Sequence, residues 1–327
     1  MTIWPGGGRS GRSGPEDPLA PHGASSAVGA PVTGPVSAPP WSLGGVLRAA
    51  RHEKVRQLRR SRAFVAGTIV VAFWVSCAVF GEMIAPHDPL ATDPLNALAA
   101  PSADHWFGTD RLGRDSFARV MVGGREMLIV APAAALLATV VGTALGLVAG
   151  YVRGAVDDVL SRVLEAWLAL PVVVLATALL AAVGSSRTAI MVAVAVPLSP
   201  IVARSVRAAV LAERELEYID AARVRTEGAA YIMCCEVLPN IRAVVLVEFV
   251  VRLAYAVFAT ATLSFIGVGV QPPTPDWGRQ IFEHYSLLGG GLLGIWAVAF
   301  PVAAIATLVV GISLIVDGLT DVIERAP

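Results

Sequence analysis

Lysine is almost absent from this 327-residue chain: Lys54 stands against 24 arginines. Its surroundings read RHEKVRQ, so no G-x-x-x-x-G-K-[ST] loop exists and the chain cannot cradle nucleotide phosphates by that motif. The arginine excess itself reads as composition bias. Cysteine is scarce too. Cys77, Cys234 and Cys235 form no C-x-x-C pair and read as reduced thiols. The five histidines (His22, His52, His87, His105 and His284) show no ligand spacing, so no metal site is expected. H-E-x-x-H and G-x-S-x-G are missing, and no catalytic residue is expected. Charge is also low. Only 15% of residues are charged, against roughly a quarter in soluble domains, and the net formal charge is zero. A net charge of zero argues against a nucleic-acid partner.

What is abundant is apolar surface: 55% of residues are hydrophobic and the mean hydropathy is +0.67. Membrane lipid is the environment this implies. At about 20 apolar residues per helical crossing, six spans read out, at about 63–85, 127–150, 163–184, 188–206, 243–266 and 292–316. Residues 1–42, rich in Gly, Pro, Ser and Ala, are expected to be a disordered tail, with no apolar stretch that would make them a secretory signal. A basic helix is expected over 43–62, followed by the transmembrane domain over 63–327. Basic residues in the connections set the orientation. With both termini cytoplasmic, sixteen lie inside and six outside. That orientation predicts that a cysteine at Asp276 is reachable from outside and one at Glu213 is not.

Gly142, Gly146 and Gly150 form a small-xxx-small row suited to close helix approach. Pro132, Pro171, Pro197, Pro200 and Pro301 lie in or near spans and suit kinked helices. Glu248 and Arg252 sit four residues apart in the fifth span. They share a helix face and should point into the bundle or a wet cavity, as a structural ion pair or as part of a translocation path. Glu165 and Asp317, near span ends, read as interfacial.

Between the fourth and fifth spans lies EYIDAARVRTEGAAYIMCCEVLPN, Glu217 to Asn240. As a helix it places Leu216, Ile219, Ala222 and Arg223 on one side. Gly228 permits a turn, and Leu238-Pro239 leads into the fifth span. Its charges are mixed in sign, which suits a protein partner better than lipid headgroups.

This stretch resembles the E-A-A loop of ATP-binding-cassette import permeases, with Asp220-Ala221-Ala222, Ile232 and Leu238-Pro239-Asn240 in register. Asp220 takes the place of the family's Glu, Thr226 stands where the family has Gly, and Thr260 where many relatives have Glu. FGTDRLGRDSFARVMVGGRE (Phe107 to Glu126), LSFIGVGVQPPTPDWG (Leu263 to Gly278) and IAPHDPL after the first span resemble the peptide-permease branch, in its C-type subunit. The resemblance covers about 62–320. It implies an all-α membrane protein with six transmembrane helices in the type I ABC importer permease fold. It implies a coupling loop at about 207–242 that docks on an ATPase through Tyr218, Asp220, Ala221, Ala222, Arg223, Gly228, Leu238 and Pro239. Ala222 is expected to lie on the small docking face.

The implied partners are a second homologous permease, two ABC ATPase subunits or a fused pair, and an extracytoplasmic substrate-binding protein. ATP and magnesium are expected on the ATPases and no cofactor on this chain. The cargo expected is dipeptides and oligopeptides; nickel, haem or another peptide-like solute is the alternative. A secondary transporter driven by an ion gradient would ask for more intramembrane acids and an inverted repeat. The chain has one internal pair and no clear repeat.

Overall fold

The computed structural model describes residues 57–290 and 295–324. The tail expected over 1–42, residues 43–56 of the expected basic helix, and Arg325 lie outside the described residues. Residues 57–60 are helical.

The long elements are α1 (Arg62–Ile84), α2 (Ser116–Val152), α3 (Ala155–Leu168), α4 (Val172–Val183), α5 (Arg187–Glu213), α6 (Glu217–Val224), α7 (Arg242–Ile266), α8 (Trp277–His284) and α9 (Ile295–Glu324). Four helix starts are set by a side-chain oxygen that accepts an otherwise orphan amide N–H. Ser61 takes that of Phe64 (3.3 Å), Asp115 that of Ala118 (2.9 Å), Ser186 that of Ala189 (3.1 Å) and Asp276 that of Arg279 (2.9 Å).

Helices α1, α2, α5, α7 and α9 are long and apolar enough to cross a bilayer. The third span, expected over 163–184 with Pro171 as a kink site, is a sharply bent pair: α3 and α4 meet at 91°. The break falls at Ala169, Leu170 and Pro171. Proline lacks an N–H and disfavours helical backbone in the residue before it. α3 is the polar arm, carrying Asp157, Asp158, Arg162 and Glu165, and the fork of Arg207 clamps it to α5 through Asp157 at 2.6 and 2.7 Å. α4 is the apolar arm. Its 12 residues reach about 18 Å, short of a hydrocarbon core of about 30 Å.

The second span is also longer than expected. It begins at Ser116 rather than near 127, because the Asp115 cap and the buried Phe117, Val120 and Met121 make the preceding motif helical. Its 37 residues extend about 56 Å.

α2 packs on α5 along its glycine row. A Cβ at Gly142 would lie 2.5 Å from the Val202 Cβ, one at Gly146 2.6 Å from the Ala203 carbonyl oxygen, and one at Gly150 2.8 Å from the Val210 Cβ. All are shorter than packed carbons allow. Beyond this seam, toward the start of α2, the main core gathers Met127 and Val130 from α2, Leu180 from α4, Leu198 from α5, Leu263 from α7, Trp277 from α8 and Leu308 from α9.

Gly146→Val overlaps the Ala203 carbonyl and the Val206 side chain, so it is expected to destabilise the chain by about 1–3 kcal/mol. The readouts are membrane abundance and the unfolding midpoint of the purified protein. Gly228→Ala, with an ordinary φ of −66° and no atom within 4 Å of the added Cβ, should leave both unchanged. Equal behaviour of the two variants would contradict the seam.

Candidate functional site

The loop between α5 and α7 is a folded unit. α6 follows α5 after a short turn, then come Ala229–Tyr231, a π-helical turn Ile232–Val237 and Leu238–Asn240. Ile219 and Ala222 of α6 are fully buried. They pack with Ile232, Val237 and Ile241 from the loop's return, and with Leu147, Val202, Val206 and Val210 from the end of the α2–α5 pair. Polar ties close the unit. The guanidinium of Arg214 donates to the carbonyl of Tyr151 at 2.7 Å, and those of Arg214 and Arg223 both lie 5.9 Å from the Tyr151 ring. The Tyr218 hydroxyl donates to Glu213 at 2.7 Å and accepts from the Asn240 amide at 2.9 Å, which joins the end of α5 to the start of α7. Burial, then the Glu213 carboxylate, push the Tyr218 phenol up to about 12, so it stays a donor.

The left-handed turn after α6 sits at Thr226, φ +58°. Gly228, expected to supply the turn, is ordinary extended backbone at φ −66° and ψ 148°. The β-branched residue thus holds the conformation that suits the family's glycine, at a strain of about 1–2 kcal/mol. The ion pairs of Arg225 with Glu227 (2.7 Å) and Glu236 (3.4 Å) brace it.

The sequence-derived coupling residues divide accordingly. Asp220, Ala221, Arg223, Gly228 and Pro239 are exposed, whereas Tyr218 and Leu238 are partly buried. Ala222 does not lie on an outward face. It is 0% exposed, turned into the chain's own core. The apolar residue at the crest is Val224, 83% exposed.

Glu248 and Arg252 do pair. The Arg252 Nε and a terminal nitrogen donate to one Glu248 carboxylate oxygen at 3.1 and 2.9 Å, both side chains are largely buried, and the guanidinium lies 5.3 Å from the Tyr255 ring. Asp317 is exposed and lines a groove between α7 and α9 with Tyr255 and Phe258, while Glu165 is exposed on α3.

At the other end of α2 lies a charged network that the sequence reading missed. The Arg114 Nε donates to Asp110 at 2.6 Å and its terminal nitrogen to Glu283 at 3.1 Å. Arg119, 3% exposed, lies 3.6 Å from Asp110 and 3.4 Å from Glu283. Arg279 reaches Glu283 at 3.2 Å. The two family-like segments, Phe107 to Glu126 and Leu263 to Gly278, therefore meet, the second continuing into α8. The Trp277 indole donates to the Val120 carbonyl at 2.7 Å and the Gln280 amide to the Arg119 carbonyl at 3.0 Å. Gly123 and Gly124 leave room for the Trp277 ring. The i, i+4 spacing of Asp110 with Arg114 and of Arg279 with Glu283 was the available signal. Asp276, which caps α8, is buried, and that burial pushes its carboxyl up to about 6. It is not reachable as the sequence reading expected. Nor are the histidines scattered in space. The rings of His87 and His105 lie 4.9 Å apart, and His284 sits beside Asp110 and Glu283.

Residues 142–327 match the family described as binding-protein-dependent transport system inner membrane component, and residues 52–101 match the N-terminal transmembrane domain of oligopeptide transport permease C. The chain is 35% identical over 273 residues to the dipeptide transport system permease protein DppC of Alkalihalophilus pseudofirmus, covering 84% of this chain and 89% of that one. It is 32% identical over 270 residues to the probable D,D-dipeptide transport system permease protein DdpC of Escherichia coli, covering 83% and 90%. To the glutathione transport system permease protein GsiD of Shigella dysenteriae it is 34% identical over 281 residues, covering 85% and 91%. A chain of the MetNI methionine ABC transporter, in an inward-facing conformation, shares the fold with a TM-score of 0.51 at 18% identity, over 62% of this chain and 96% of that one. The bundle is thus the type I ABC importer permease fold, and a permease of that kind works with ATPase and substrate-binding partners. By its helical bundle, its loop and its kinship, the chain belongs to the inner-membrane permeases of binding-protein-dependent import systems, in the C-type branch that includes the oligopeptide permeases.

Proposed function

We propose that this chain is one of two permease subunits in an importer that carries peptides across the cell membrane into the cytoplasm. Two ATPase subunits or a fused pair drive it, and an extracytoplasmic binding protein supplies the cargo. Magnesium and ATP would be held on the ATPases, and this chain's part is mechanical. Both termini and the α5–α7 loop face the cytoplasm in this reading, as the arginine asymmetry favours. Peptide cargo is supported by the kinship with permeases named for dipeptides, D,D-dipeptides and glutathione.

The observation that carries the proposal is α6. Two buried residues anchor it to the α2–α5 end, and it offers Asp220, Ala221 and Val224 outward. An apolar residue as exposed as Val224, at the crest of a firmly anchored helix, suits insertion into a groove on another protein. Force applied there passes directly into the two helices of the glycine seam.

Val224→Arg is expected to lower peptide uptake by about tenfold or more while the assembled complex stays at wild-type abundance. Ala222→Arg should instead remove the chain from the membrane, because a guanidinium cannot fit among Val206, Val210 and Ile232. Unchanged uptake in Val224→Arg would remove the docking role.

Orientation is tested with thiols. Cys77 is buried and Cys234 and Cys235 are exposed in the loop, so an impermeant maleimide should leave intact wild-type cells unlabelled at this chain. In a Cys234→Ser/Cys235→Ser background, Thr274→Cys, at an exposed position before the buried Asp276, should label from outside and Glu213→Cys should not. The opposite pattern would invert the topology.

The Glu248–Arg252 pair is proposed to border the translocation path, where a peptide brings one terminal charge of each sign. Glu248→Gln and Arg252→Gln singly should each lower abundance by stranding a buried partner, at a few kcal/mol. The double variant should restore abundance yet raise the peptide concentration for half-maximal uptake. A double variant with wild-type concentration dependence would leave the pair a purely structural tie.

A further inference from the structure

The connection from α1 to α2 places three metal-ligating side chains together far from the loop that carries the proposed coupling. His87 lies three residues beyond the end of α1, His105 lies in the connection, and Asp115 caps α2. The His105 Nδ1 is 3.0 Å from Asp115 Oδ1, the His87 Nδ1 is 4.0 Å from Asp115 Oδ2, and the ligand atoms of all three residues lie within 4.8 Å of one another.

We propose that His87, His105 and Asp115 bind a divalent transition-metal ion of the zinc class. Two imidazole nitrogens and one carboxylate oxygen would be the ligands, with water completing a tetrahedron.

Four features carry this. First, the spacing is close to that of a metal centre. Bonds of about 2.1 Å in a tetrahedral site separate the ligand atoms by about 3.4 Å. The His105 Nδ1 lies 3.0 Å from Oδ1 while the His87 Nδ1 lies 4.0 Å from the other oxygen, Oδ2, with one ligand atom from each of the three residues within 4.8 Å of the others. Second, a hydrogen bond accounts for only one imidazole. His105 bonds Asp115, but His87 also brings its Nδ1 toward the same carboxylate and stops beyond hydrogen-bond reach, at a separation that a bridging cation would span. Third, Asp115 is a carboxylate with 1% side-chain exposure whose only ion-pair partners among the described residues are these two imidazoles. A buried carboxylate needs a countercharge, and no guanidinium among the described residues supplies it. The second cluster of potential ligands, Asp110, Glu283 and His284, differs on this point, because Arg114 and Arg119 already neutralise its acids. Fourth, the carboxylate is held in place: Oδ2 accepts the Ala118 N–H at 2.9 Å, the kind of outer hydrogen bond that orients a ligating carboxylate. An ion here would tie the end of α1 to the start of α2. Three protein ligands and an open fourth position also leave room for an incoming group.

The test uses the purified, full importer complex, treated with a chelator and then titrated with cobalt(II) or zinc(II). Wild-type complex should show the visible absorption bands of tetrahedral cobalt, and zinc should displace them. His87→Ala should bind zinc at least about tenfold more weakly, measured by competition with a chromogenic chelator. The same loss is expected for His105→Asn, which retains a polar partner for Asp115. The His87 ring is exposed and makes no hydrogen bond among the described residues, so His87→Ala is expected to leave the fold unchanged and is informative by itself. Equal zinc affinity in wild type and His87→Ala would overturn the assignment, as would wild-type complex that develops no tetrahedral cobalt bands.

Discussion

Everything in this bundle depends on how closely α2 approaches α5. Gly142, Gly146 and Gly150 remove the side chains that would hold the helices apart, and α5 fills the vacated groove with Val202, Val206 and Val210. In lipid there is little hydrophobic drive between helices, so close van der Waals contact of this kind is a main source of association. The same valines of α5 then continue into the cluster that seats Ile219 and Ala222. Helix pairing and loop anchoring are therefore one packing problem. A change that loosens the seam therefore also loosens part of the seat of α6.

Much of this architecture is legible in the residues. Long apolar runs mark five of the six crossings, because a helix in lipid must satisfy its own backbone and be long enough to do so. The Glu248–Arg252 pair follows from i, i+4 spacing, and the loop between α5 and α7 from its mixed charges between apolar runs. Other features are not legible, for identifiable reasons. The 91° bend between α3 and α4 hangs on Pro171, yet Pro132, Pro197 and Pro200 sit inside helices that continue through them. A proline alone does not say which outcome holds, since neighbouring helices decide whether its freed carbonyls are satisfied. The early start of α2 was hidden by its charges, which look like loop until Asp110, Arg114, Arg119 and Glu283 are seen to neutralise one another.

The coupling loop shows the same limit at finer scale. Its helix and its return to the bundle could be read from the residues, but which side of α6 faces inward could not. Eight residues give little more than two turns, and a small residue such as Ala222 suits either a tight core or a docking surface. Burial decides for the core. Thr226 is a second instance. A motif led by glycine suggested that the turn passes to the next glycine, but backbone geometry kept it at 226, and the β-branched residue was strained into place. The surrounding packing of Ile219, Ala222 and Ile232 evidently outweighs about 1–2 kcal/mol of local strain.

The length of α2 has a mechanical consequence. A rod of about 56 Å is nearly twice the thickness of a hydrocarbon core, so it behaves as a lever arm rather than as a simple crossing. Tilting it by about 5° around one end sweeps the other through about 5 Å, roughly one helical turn. The two ends of this rod carry different fittings: the socket for α6 at Leu147 and Tyr151, and the ionic clamp of Arg119 with Asp110 and Glu283. On one unbroken helix, a tilt that is small at the socket is a displacement of several ångströms at the clamp.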